Sequence, residues 1–216
     1  MELKNKVINV LGDSITEGVG ASCEANRFTD VLWREYGCKT VNNYGISGSR
    51  IARQRLMTTE RHERWFSSRI EEMDAEADAV VVFGGTNDYG HGDAPLGTFD
   101  DRTVDTFYGA CHVLMQGLLE KYVGKPVVIL TPLHRDEEND PHDERKGDVH
   151  PLHVYRAILM EVAQHYALPV LDLYATSGIQ PQNAVCRESL CPDGLHPNDA
   201  GHAIIARRIG EFLKML

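Results

Sequence analysis

Long apolar stretches are missing from this 216-residue chain. The run from Val7 to Leu11 is among the most apolar, yet it falls far short of the roughly 18–20 residues a membrane-spanning helix needs. It is also too short for a signal-peptide core. Runs of lysine or arginine are missing as well. The chain has 22 basic and 32 acidic residues and a formal net charge of −10. A surface of that sign repels phosphate backbones and anionic headgroups, so neither nucleic acid nor membrane is an expected partner. Cysteine is scarce and odd in number, five in all, with no Cys-x-x-Cys pair. Free thiols in a reducing cytoplasm are the expectation, with a Cys186–Cys191 bridge as the alternative for an exported protein. No repeat, low-complexity tract or Pro/Ser-rich linker interrupts the chain, so residues 1–216 are expected to form a single domain. A hydrophobic content of 42% excludes a disordered chain.

Several cofactor signatures are absent too. Gly18-Val19-Gly20 begins like a dinucleotide fingerprint, but Cys23 stands where the third glycine belongs. There is no phosphate-cradling Gly-x-x-x-x-Gly-Lys and no Gly-x-Ser-x-Gly elbow. Nothing in the residues calls for a cofactor or a metal.

What is present is an alternation. Short apolar runs occur at Val7–Leu11, Ala79–Phe83, Pro126–Leu130 and Pro169–Leu173, with a weaker one from Thr40-Val41 to Asn42-Asn43. Runs so uniformly apolar suit strands covered on both faces, as in a parallel sheet. Between them, apolar residues at i, i+3, i+4 spacing predict helices over 27–36, 61–73, 104–122, 152–166 and 200–216. Strands alternating with helices imply a three-layer α/β/α sandwich of about five parallel strands. In such sheets ligands bind beyond the carboxyl ends of the strands.

The residues at those ends are small, polar and glycine-rich. They read Gly12-Asp13-Ser14-Ile15, then Asn43-Tyr44-Gly45-Ile46-Ser47-Gly48-Ser49, then Gly84-Gly85-Thr86-Asn87-Asp88. Asp193-Gly194-Leu195-His196-Pro197 precedes the last helix. Together they hold what ester hydrolysis requires. A serine hydroxyl becomes a nucleophile when a nearby base takes its proton. Histidine suits that task because it titrates near neutrality. The imidazole needs an acceptor to fix its tautomer, and the developing oxyanion needs preset donors. Each residue also has a plainer reading. Ser14 could cap a helix, Asn87 or Gly48 could simply shape a turn, and Asp13 and Asp88 could fix loops through backbone amides.

Taken together, Gly12-Asp13-Ser14-Ile15, Gly48, Gly85-x-Asn87-Asp88 and Asp193-x-x-His196 resemble the four blocks of the GDSL/SGNH hydrolase family, in the family's order. The one departure is Ile15 where the name motif has leucine. The resemblance implies a flavodoxin-like sandwich with Ser14 as nucleophile, His196 as general base and Asp193 as its orienter. It implies an oxyanion hole made by the Ser14 amide, the Gly48 amide and the Asn87 carboxamide. The expected substrate is a small-molecule ester with a short acyl group, O-acetylated carbohydrate among the candidates. Lysophospholipid or thioester cleavage and acyl transfer are alternatives within the family. A non-catalytic carbohydrate-binding protein with the same fold is the alternative outside it.

Half of the net charge, −5, sits at positions 136–148, flanked by His134, His150 and His153. The spacing matches no zinc or EF-hand pattern. The segment follows the fourth strand and so overhangs the expected site, where it is read as a solvated loop or a lid. Neutral or cationic esters are expected to approach more readily than anionic ones.

Overall fold

The computed structural model describes residues 1–56, 58–139 and 150–216. Most of the lid expectation over 136–148 therefore lies outside the described residues. Five parallel strands form one sheet: β1 (Val7–Gly12), β2 (Thr40–Gly45), β3 (Ala79–Phe83), β4 (Val127–Leu130) and β5 (Val170–Leu171), in the order β2-β1-β3-β4-β5. This is the flavodoxin-like order, in which the strand sequence reverses direction beside β1. The crevice at the carboxyl end of β1 is where such sheets hold ligands.

The β3 side chains show why both faces are covered. Ala79, Val81 and Phe83 enter one core, while Val80 and Val82 enter the other. This is the two-residue alternation of a strand, with apolar residues at both phases. The first core takes its helical side from α2 (Phe28–Tyr36) and α8 (Asp199–Met215), through Phe28, Leu32, Ile205 and Ile209. The second takes it from α4 (Phe107–Lys121) and α5 (Leu152–His165), through Leu114, Leu118, Leu159 and Val162. The result is the three-layer α/β/α sandwich that the alternation implied. Among the described residues no helix is long and apolar enough to cross a membrane.

The differences from expectation have local causes. The helix expected over 61–73 is instead two 3₁₀ segments, Arg61–Glu63 and Phe66–Glu72, separated by extended backbone at Arg64 and Trp65. The Phe66 amide is drawn to the Arg50 carbonyl (3.0 Å). Three residues per turn then align Phe66 with Arg69, whose guanidinium stacks on the Phe66 ring at 4.8 Å. β2 runs on to Gly45 because its asparagines find partners: Asn42 Nδ2 donates to Asn9 Oδ1, and Asn43 Nδ2 to the Thr16 carbonyl. β5 stops at Leu171, because Asp172 turns to cap α6 (Leu173–Thr176) and to pair with Arg156. Three more short helices, α1 (Ser14–Glu17), α3 (Thr86–His91) and α7 (Ala184–Leu190), carry too few residues to show a period. All five cysteines are free thiols, including Cys186 and Cys191.

Candidate active site

β1 ends at Gly12, and the chain turns at once into α1. A Cβ at Gly12 would stand 2.0 Å from Thr16 Oγ1 and 2.9 Å from the Phe83 carbonyl. Only glycine lets the strand end and the helix start so closely. Asp13, not Ser14, is the helix cap: its carboxylate accepts the Ile15 amide at 3.0 Å. Ser14 is therefore released from capping and opens the first turn.

Its hydroxyl meets the distant C-terminal block. Ser14 Oγ lies 3.0 Å from His196 Nε2, and His196 Nδ1 lies 2.7 Å from an Asp193 carboxylate oxygen. The other Asp193 oxygen accepts the amides of Leu195 (2.9 Å) and His196 (2.6 Å). One carboxylate thus folds its own loop and faces the imidazole at once. Burial pushes the Asp193 carboxyl up, but these amides and the imidazole outweigh it and hold it below its usual range.

Residues outside the motif blocks hold this loop in place. The Asp136 amide donates to the Gly194 carbonyl (2.8 Å), and the Asp136 carboxylate pairs with Arg187 at 2.5 Å. Gly20, at φ +94°, leaves room for the histidine, since a Cβ there would stand 2.2 Å from the Pro197 carbonyl and 3.1 Å from His196 Cβ. Gly20→Ala is expected to shift the imidazole and lower kcat about 100-fold. Gly37→Ala is the control. That site shares the positive φ, but its Cβ would meet only Lys4 at 3.7 Å. Steady-state kinetics on both variants check this, and equal kcat values would dismiss the role given to Gly20.

Gly48 and Asn87 are brought together through Ser49. Asn87 sits in the first turn of α3 and donates from Nδ2 to the Ser49 carbonyl at 3.0 Å. Ser49 Oγ in turn donates to the Gly12 carbonyl at 3.4 Å. Gly48 has φ +78°, and a Cβ there would meet His62 Cβ at 3.2 Å. His62, next to Gly48, and His91, bonded to Asn87, help line a polar cavity of about 170 Å³ with Arg50, Gln54, Leu56, Glu63 and Asp93. Asp88 accepts the Ile51 and Ala52 amides, both at 2.9 Å, and so fixes the loop after β2.

Arg69 was not legible as a site-building residue. Its guanidinium reaches the Tyr44 carbonyl (2.7 Å), the Gly12 carbonyl and Ser49 Oγ (both 3.2 Å), tying the ends of β1 and β2 together. Burial lowers it to about 10. An arginine in a polar stretch ordinarily reads as solvated. Among the flanking histidines of the acidic segment, His134 is engaged by Glu138 (2.9 Å) and packs on Tyr174.

Asp13 is the most perturbed carboxyl here. Burial first, then repulsion from Asp88, raises it from 3.8 to about 7, against the opposing pull of the Ile15 amide and Arg69. Between those values the folded protein binds a proton that the unfolded chain has released, so stability falls as pH rises from about 4 to 7. The loss is on the order of 4 kcal/mol when complete. Asparagine keeps the cap without titrating. In denaturant unfolding, wild type should lose stability relative to Asp13→Asn across that window. Parallel pH profiles would refute the assignment.

Comparisons with known proteins agree with the class that fold and site suggest. An all-parallel α/β/α sandwich with these strand-end blocks has the hydrolase fold of GDSL/SGNH proteins. The model of the GDSL-like lipase/acylhydrolase family matches residues 10–204, and the chain belongs to that family. A solved protein from Lactobacillus plantarum is 31% identical, covering 98% of each chain with a TM-score of 0.84. A member of the lipolytic G-D-S-L family from Veillonella parvula is 18% identical, covering 97% of this chain and 99% of that one, with a TM-score of 0.64. An acetyl xylan esterase is 20% identical, covering 96% and 99%, with a TM-score of 0.65. A comparison with curated proteins finds no significant match.

Proposed function

We propose that this hydrolase is a serine esterase acting on small carboxylic esters through an acyl-enzyme on Ser14. The observation that carries the reading is the contact of Ser14 Oγ with His196 Nε2 at 3.0 Å, backed by Asp193 at 2.7 Å from Nδ1. A hydroxyl, a base and an orienter in hydrogen-bond sequence form the arrangement that nucleophilic acyl transfer needs.

In the proposed cycle His196 Nε2 takes the Ser14 proton as Oγ attacks the ester carbonyl. The oxyanion is received by the amides of Ser14 and Gly48 and the Asn87 carboxamide. His196 then gives the proton to the departing alcohol oxygen. Water, deprotonated by His196, attacks the acyl-enzyme; His196 returns that proton to the departing Ser14 Oγ, and the carboxylic acid is released. Fixed donors at the oxyanion are worth about 100- to 1000-fold each.

The polar cavity lined by His62 and His91, read here as the acyl site, is small and lined mostly by charged and polar side chains. It favours short or polar acyl groups over long alkyl chains, whose burial needs apolar walls. The acetyl xylan esterase among the structural relatives makes O-acetylated carbohydrate a reasonable substrate class to test. The test is kcat/KM across p-nitrophenyl acetate, butyrate and octanoate, and across acetylated sugars. Acetate is expected to exceed octanoate at least tenfold. An octanoate preference would overturn the short-chain reading, and no turnover of any ester would overturn the esterase.

A further inference from the structure

We propose that His91, held by Arg50, is a positioning residue that sets which end of the Asn87 carboxamide faces the reaction. This rests on the reading of Asn87 as an oxyanion donor.

A carboxamide has two ends of similar shape and opposite chemistry. Asn87 helps an oxyanion only if its NH₂ faces it. After a half-turn about χ2 it would present an oxygen to an oxygen. That torsion is broad for asparagine, so neighbouring groups must decide the orientation. Here they form one chain. Arg50 Nη1 lies 2.8 Å from His91 Nδ1. A guanidinium has donors only, so Nδ1 accepts. The proton of the neutral ring then sits on Nε2. Nε2 lies 3.1 Å from Asn87 Oδ1, which is thereby fixed as the oxygen. The opposite end, Nδ2, donates one hydrogen to the Ser49 carbonyl at 3.0 Å, and its second hydrogen remains for the substrate.

Each link in this chain joins a donor to an acceptor: Arg50 Nη1 to His91 Nδ1, His91 Nε2 to Asn87 Oδ1, and Asn87 Nδ2 to the Ser49 carbonyl. Turning the amide would oppose the His91 N–H to an NH₂ and the Ser49 carbonyl to an oxygen, so both bonds would fail together. The far end is anchored as well, since Arg50 Nη2 meets the Glu63 carboxylate at 2.7 Å with both side chains under 10% exposed. Asn87 and His91 share one face of α3 at i, i+4 spacing, which brings donor and support together on one element. Asn87 itself is buried, whereas His91 reaches the surface, a position where substitution is compatible with folding.

The experiment measures kcat and KM on p-nitrophenyl acetate for His91→Leu, His91→Asn, His91→Gln, Asn87→Ala and the double variant Asn87→Ala/His91→Leu, with thermal melts alongside. Leucine removes the donor, and asparagine is too short to reach Asn87. Each is expected to lower kcat about tenfold, less than outright loss of an oxyanion donor, with KM within about twofold. Glutamine places an amide N–H near the Nε2 position and should restore most of the loss. In the Asn87→Ala background, His91→Leu should change nothing more, because its effect passes through Asn87. Wild-type kcat in both His91→Leu and His91→Asn, or factors that multiply in the double variant, overturn the positioning role. Wild-type kcat in Asn87→Ala overturns the oxyanion reading itself, a separate and recognisable failure.

Discussion

Ser14→Ala and His196→Ala should each lower kcat by about 10⁴-fold or more, and the double variant should be no slower than either. The shared effect follows from the 3.0 Å contact between Oγ and Nε2. The hydroxyl is a weak nucleophile without the base, and the base has no proton to take without the hydroxyl. Removing either therefore removes the same step. Some rate above water should persist, because the oxyanion donors and the pocket still hold the ester. Kinetics on the two single variants and the double decide the matter. Factors that multiply would mean that the two residues act separately, which their contact does not allow.

Asp193→Asn is expected to lower kcat about 1000-fold, somewhat less than the roughly 10⁴-fold loss known for a fully buried orienter. The carboxylate at 2.7 Å fixes the His196 proton on Nδ1 and leaves Nε2 free to accept from Ser14. A carboxamide can present its NH₂ there and favour the wrong tautomer. The side chain of Asp193 is 55% exposed, so water partly replaces its charge, and the expected loss is reduced accordingly. Asparagine still offers an oxygen to the Leu195 and His196 amides, so the loop should keep its fold. Alanine does not, and Asp193→Ala should lose thermal stability as well as kcat. Melting curves beside kinetics separate the two effects. A kcat within tenfold of wild type in Asp193→Asn would show that Asp193 serves the loop alone.

The sandwich was legible because its strands are apolar at both phases, as Ala79–Phe83 shows, and because α2, α4, α5 and α8 carry long stripes. The site blocks were legible because each falls directly after a strand or before the last helix, where a parallel sheet places its ligand. The segment at 61–73 misled because Phe66, Ile70 and Met73 mimic a helical stripe, while the tertiary bond from the Phe66 amide to Arg50 O and the stacking of Arg69 on Phe66 select a tighter winding. Arg69, Gly20 and His91 could not be recognised as parts of the site. Their roles rest on contacts with residues distant in sequence or on a backbone angle, and no spacing rule encodes either. The exception is the Asn87–His91 interval, a plain i, i+4 pair, which acquires meaning only once Asn87 is given a task.

The nucleophile is tested most directly by reacting the protein with a fluorophosphonate and locating the adduct by peptide mass spectrometry. One phosphonyl group on the peptide containing Ser14 is expected, with loss of esterase activity in step with labelling and no adduct on Ser14→Ala. Full inactivation with the label on another residue, or undiminished turnover by Ser14→Ala, would contradict the central claim.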